Sequence, residues 1–278
     1  MLIRNNKVLT VHSKWLYAVD PYNPLDLPPY TIRVKYKQGR EPEIQGHTYT
    51  KTLVDRNENI WDITITDEST DWSGLFYYPY EYQYDYLLEV LGANSAGITD
   101  MRNMFRSCQS LTSVAVFNTS SVTDMTTMFA RCSSLMSVPL FDTSNVTNMT
   151  STFAGCYSLT TIPLLDTSKV TDMTNMCFSC SSLTSVPLLD TSLVTSMSMM
   201  FMKCYRLTSI PLFNTSNVTF MNLTFSECYR VESGALALYQ QASTQTTPPQ
   251  QHLATFESCG IYTQSGAAEL AQIPSDWK

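Results

Sequence analysis

Charge is scarce in this chain of 278 residues: Asp, Glu, Lys and Arg make up 15% of it, against about 25% in an ordinary globular protein. Serine and threonine fill the deficit and give a polar but uncharged surface. The net charge is −7, and no segment is basic: residues 1–92 carry 9 basic and 13 acidic side chains, residues 93–232 carry 7 and 8, and residues 233–278 carry 1 and 3. The electrostatic footprint of a nucleic-acid binder is therefore missing, and an anionic membrane surface is an equally poor partner. No apolar run approaches the roughly 18 residues that span a bilayer, so no membrane insertion is expected. The opening segment, Met1 to Val19, has positive charge but no continuous apolar core, so no secretory signal is expected.

Histidine is nearly absent as well. His12, His47 and His252 are scattered through unlike regions. With 9 glycines in all, there is no glycine-rich loop to cradle a phosphate, and no G-x-S-x-G or H-E-x-x-H signature occurs. The expectation is a chain with no catalytic residues, no cofactor and no metal site.

What the chain has instead is a repeat. Cys108, Cys132, Cys156, Cys180, Cys204 and Cys228 are each 24 residues apart. In the same register stand Asn94, Asn118, Asp142, Asp166, Asp190 and Asn214, then Ile98 to Val218, then the threonines Thr99 to Thr219, then Met101 to Met221. Six copies without an insertion predict a solenoid in which each copy is one coil. Met125, Met128, Phe129 and Cys132 are spaced as one face of a short helix, and Leu135, Val138 and Leu140 as a leucine-rich-repeat strand. The fold class expected is thus an α/β solenoid, a parallel strand and a short helix per 24-residue coil, with a small β-rich N-terminal domain.

The unit F-x-x-C-x-S-L-T-x-x-P-L-x-D-T-S-x-V-T-x-M resembles the BspA-type leucine-rich repeat, over residues 87–232. That resemblance implies adhesion or recognition rather than catalysis. The lead-in Leu88 to Asn94 and the ending Gly266 to Lys278 resemble gut phage and prophage proteins. Cys177 departs from the pattern, standing where Phe153 and Phe201 stand in other copies.

The flanks divide the chain into residues 1–86, a β-rich cap or attachment domain; 87–232, the repeats; and 233–278, a C-terminal cap. Thr31 to Tyr36 alternates as a half-buried strand, and the runs 48–54 and 60–65 flank Asp55 to Asn59 as a hairpin. Pro21, Pro24, Pro28 and Pro29 hold the stretch before Thr31 extended. Gly234 to Ala242 reads as a short helix, with further helical turns over 252–259 and 267–271.

Several groups invite chemistry. The cysteine column lies within disulfide reach, but the helical face points it inward, where free thiols pack as small hydrophobes. Cys177-x-x-Cys180 lacks a second pair or nearby histidines. Asp142, Asp166 and Asp190 either gather a calcium ion or accept backbone N–H groups in their own turns, as Asn118 and Asn214 would without charge. Six tyrosines, Tyr77, Tyr78, Tyr80, Tyr82, Tyr84 and Tyr86, are either a contact surface or a cover for the first coil.

The best ligand-binding candidate is the strand face: Pro139, Pro163, Pro187 and Pro211 beside Phe141, Leu165, Leu189 and Phe213. The alternative is that this second column turns back into the core. In the last coils, positions that are polar earlier become Leu193, Met199, Met202, Phe220 and Leu223. Either the C-terminal segment covers this patch or a second subunit does, and a cyclic homo-oligomer is expected. The function expected is a non-enzymatic adhesion or receptor-binding protein, a phage or prophage virion fibre or appendage. It would dock a host-surface protein or glycan and join other virion or surface proteins through its N-terminal domain. A structural or decoration protein, or a bacterial cell-surface adhesin, is the alternative, and the location expected is a virion or extracellular surface.

Overall fold

The computed structural model describes residues 2–4, 7–9, 27–67, 69–77 and 86–278. His12, Pro21, Pro24, Tyr78, Tyr80, Tyr82 and Tyr84 lie outside the described residues. Strands β1 (Leu2–Arg4) and β2 (Lys7–Leu9) pair antiparallel. The main sheet is mixed and has five strands: β3 (Thr31–Tyr36), β4 (Tyr49–Asp55), β5 (Ile60–Ile65), β6 (Leu87–Asn94) and β7 (Ser113–Val114), in the order β4-β5-β3-β6-β7. β4 and β5 form a hairpin whose turn is held by the Asp55 carboxylate, which accepts the N–H groups of Asn57 and Glu58. Only β6 and β7 run parallel. β6 therefore joins the sheet to the repeats. Ile32, Val34, Ile63 and Ile65 from the sheet share one continuous core with the columns of the repeats.

The expected strand and helix in every coil do not form. The only α-helices among the described residues are α1 (Ala235–Thr244) and α2 (Gln264–Gln272), both after the last repeat. The reason lies in where the backbone N–H groups go. Met125, Thr127, Phe129 and Arg131 donate to Asn148, Thr150, Thr152 and Ala154 of the next copy. The intervening Met128, Ala130 and Cys132 close four-residue β-turns onto Met125, Thr127 and Phe129. Thr127 and Arg131 are left-handed, at φ 55° and 63°, which an α-helix of L-residues does not admit. The apolar spacing i, i+3, i+4, i+7 is kept because two successive turns bring the same four residues inward. Met125, Met128, Phe129 and Cys132 are all buried.

Copies are tied by further bonds in register. Asp100, Asp124, Asn148, Asp172, Ser196 and Phe220 form a ladder of parallel bridges. The buried hydroxyls of Thr119, Thr143, Thr167 and Thr191 donate to the carbonyls of Asp142, Asp166, Asp190 and Asn214 at 2.7–2.8 Å. A column of rings runs through the core: Phe76, Phe105, Phe129 and Phe153 stack at 5.4–5.9 Å, and Phe201, Phe225 and Phe256 at 5.5–5.9 Å. Cys177 interrupts it.

The ladder continues past both ends of the regular repeat. Before it, Trp72, Gly74 and Phe76 donate to Asp100, Arg102 and Met104. After it, Met221, Leu223, Phe225 and Glu227 donate to Gln251, Leu253, Thr255 and Glu257. Thr255-Phe256-x-x-Cys259 thus occupies the place of Thr224-Phe225-x-x-Cys228. α1 lies in the longer connection between them. Trp277 closes this end, 6.3 Å from Phe256 and 4.2 Å from the ring of His252. α2 packs close to the last regular repeat, where a Cβ on Gly266 would collide with the Val231 carbonyl.

Candidate functional site

In the copies that carry Pro139, Pro163, Pro187 and Pro211 the chain leaves the core at the proline and returns one residue later than the strand spacing predicts. Leu165, Leu189 and Phe213 donate their N–H groups to the carbonyls of Pro163, Pro187 and Pro211 at 2.9–3.0 Å. A bond between residues two apart is a γ-turn, and its central residue is pushed outward. Leu164, Leu188 and Leu212 occupy that apex. The next residue is folded inward, so Phe141, Leu165, Leu189 and Phe213 are buried at 4, 4, 2 and 0% exposure. These four, read from sequence as a binding column, have no surface to offer a partner. Pro139, Pro163, Pro187 and Pro211 are half-buried.

The exposed column is the neighbouring one. Val116, Leu140, Leu164, Leu188 and Leu212 are 56, 61, 63, 60 and 55% exposed. With coils about 4.8 Å apart, these side chains form a straight aliphatic stripe. Two residues on stand Asn118, Asp142, Asp166, Asp190 and Asn214, all exposed. Each acidic side chain accepts the N–H of Ser144, Ser168 or Ser192 two residues later, and Asp142 and Asp166 also accept the serine hydroxyl at 2.7 Å. These serine hydroxyls, then the backbone N–H groups, hold the Asp142, Asp166 and Asp190 carboxyls below their ordinary value. Asn118 and Asn214 accept equivalent bonds from Ser120 and Ser216. The stripe is thus flanked by a rail of fixed negative charge. Its sequence signal is the proline before Leu140, Leu164, Leu188 and Leu212, with Ala115 in that place before Val116; the leucine-rich-repeat spacing hides it.

The cysteines stand apart from this surface. All eight are buried and unbridged. The Sγ atoms of Cys132, Cys156, Cys180, Cys204 and Cys228 donate to carbonyls of the preceding copy at 3.0–3.3 Å. Burial pushes the Cys228 thiol up to about 12 and the Cys156, Cys204 and Cys259 thiols well above their usual range. The Cys177 thiol is raised by its hydrogen bond with Cys180 and by burial. Among the described residues no group of three His, Cys, Asp or Glu side chains is placed to hold a metal ion.

The patch of late apolar residues is divided. Leu193 is 49% and Phe220 39% exposed, whereas Met199, Met202 and Leu223 are half-buried. The C-terminal segment joins Phe220 and Leu223 through Gln251 and Leu253. It extends the stack at its end. Tyr77 and Tyr86 are half-buried, with Arg106 over the first ring and Arg40 over the second at 5.0 and 4.1 Å.

The model of a family described as "Mycoplasma protein of unknown function, DUF285" matches twice in tandem, over residues 80–185 and 160–247. No curated protein and no solved structure matches the chain. No helix among the described residues is long and apolar enough to cross a membrane.

Proposed function

The chain belongs to the DUF285 family of Mycoplasma proteins of unknown function, and from that premise we propose that it is a non-enzymatic adhesion or receptor-binding protein. The observation that carries this reading is the aliphatic stripe from Val116 to Leu212, five large side chains at 55–63% exposure, three of which, Leu164, Leu188 and Leu212, are held out of the core by γ-turns of their own backbone. Soluble chains seldom leave a continuous apolar strip bare without a partner for it. The partner that fits is a protein with an apolar ridge flanked by cations, matching the stripe and the rail of Asp142, Asp166 and Asp190. The likeness of the repeat to the BspA type supports adhesion. The likeness of the flanks to phage proteins supports display on a virion surface, with the N-terminal sheet as the attachment to other surface proteins.

Leu164→Glu combined with Leu188→Glu tests the reading. Both side chains are about 60% exposed, so the melting temperature should stay close to that of the wild type. Binding of the fluorescently labelled chain to isolated host cells should be lost. Cell binding equal to wild type would remove the stripe from the interface.

A second reading, a structural or decoration protein, draws on Leu193 and Phe220. They are exposed on the late copies and suit a contact between subunits.

A further inference from the structure

A second surface column, independent of the aliphatic stripe, follows each core cysteine by one residue. In the last copies it is aromatic. Tyr205 and Tyr229 stack with centroids 5.4 Å apart and planes 3° from parallel, and Tyr262 follows at 4.9 Å. One copy before Tyr205 the position is Ser181, and one copy before that it is Tyr157. The column therefore has a gap one coil wide with a tyrosine on each side. Tyr157 is 53% and Tyr205 37% exposed. Among the described residues no cation lies over either ring.

The width of the gap selects what can fill it. Two coil steps put the ring positions about 10 Å apart. A van der Waals separation of roughly 3.5–4.0 Å on each side leaves about 2–3 Å for the body of a guest. A flat ring is too thin to touch both walls, whereas a puckered ring with axial substituents fills the space. The floor is polar. Ser181 is half-buried, and its hydroxyl donates to the Tyr157 carbonyl at 3.4 Å, leaving its lone pairs to accept a hydrogen bond. Ser158 and Ser182 are half-buried beside it, and Arg206 is exposed at the rim. Aromatic walls offering apolar faces, with hydroxyls between them, match a ring whose C–H groups lie on its faces and whose hydroxyls lie on its edge. We propose that the gap at Ser181 is a saccharide subsite that takes one pyranose ring between Tyr157 and Tyr205.

The test uses the full chain and saturation-transfer NMR with methyl glucopyranoside, methyl galactopyranoside and glucuronic acid as probes. Transfer to the ring protons of at least one of them is expected in the wild type. Tyr157→Ala, which removes one wall, should weaken that affinity about tenfold. Ser181→Tyr should abolish it by filling the gap. Because Ser181→Tyr completes the tyrosine column, its melting temperature should equal or exceed that of the wild type, which separates loss of the site from loss of the fold. The pair Leu164→Glu and Leu188→Glu should leave transfer unchanged, which keeps this result distinct from that for the aliphatic stripe. Absence of transfer to all the probes, or transfer undiminished in Ser181→Tyr, would overturn the proposal.

Discussion

Cys156 shows what a single position in this protein is asked to do. Its side chain is fully enclosed and its thiol donates a hydrogen bond to the Phe129 carbonyl at 3.1 Å. That carbonyl also accepts the N–H of Cys132, so it stays paired if the thiol is lost. A serine at 156 would keep the donor and lose polarisable bulk, and its cost is expected at about 1 kcal/mol, measured by urea denaturation. The thiols should also be chemically silent. Maleimide should label none of the eight cysteines in the native protein and all of them in denaturant; rapid native labelling would contradict their burial. A folded pKa above the ordinary 9.0 means stability that is fully present below pH 9.0 and lost as the pH rises toward the folded value, about 12 for Cys228. Midpoints should therefore fall in alkali from about pH 9 upward.

At the scale of the element, inward columns and turns have to be separated. Which residues face the core was legible: the 24-residue register placed Met125, Phe129, Cys132 and Leu135 inside, and they are inside. How the backbone gets there was not. Periodicity reports side-chain direction, and helical spacing is equally served by turns ending at left-handed Thr127 and Arg131. The distinction rests on whether N–H groups bond within the copy or to the next, which one copy's residue pattern does not encode. The same ambiguity exchanged Leu140 with Phe141 and Leu164 with Leu165; at Leu165 a γ-turn advances the inward position by one. The terminal copies were hidden by their longer spacings, although Thr255-Phe256-x-x-Cys259 repeats Thr224-Phe225-x-x-Cys228 residue for residue.

The aspartate turns carry their own expectation. Asn118 and Asn214 accept the same serine bonds as Asp166, so Asp166→Asn should leave the neutral-pH melting temperature unchanged, and calcium should not raise it in either form. A calcium-dependent rise that vanishes in Asp166→Asn would identify an ion site instead. Because these carboxyls are lowered from 3.8, their contribution is full above that value and is lost as the pH falls through the folded one. Acid sensitivity from this source is confined to the region below about pH 4, and Asp166→Asn should reduce it slightly.

For the whole molecule, assembly turns on Leu193 and Phe220. The C-terminal segment extends the stack and leaves both exposed. If they meet a second subunit, Leu193→Glu with Phe220→Glu should lower the mass measured by light scattering to that of one chain while the melting transition persists. A wild type that is already monomeric at high concentration would show that the late copies are simply capped from within.

The inter-copy ladder has one more consequence. Since successive copies exchange the same bonds in the same register, with Met149 donating to the next copy and Thr147 to the one before, the joint between any two is interchangeable, and the chain behaves as a graduated rule. Removing residues 155–178 takes out one division: Phe153-Ala154 then runs into Ser179-Cys180, preserving F-x-x-C, and the interrupting Cys177 goes with it. The two separate runs of stacked phenylalanines become one. The shortened chain should fold with both ends unaltered and about 5 Å closer together, readable as a change in distance between spin labels on the N-terminal sheet and α2. Whatever the two ends hold, the separation between them can be set by copy number alone.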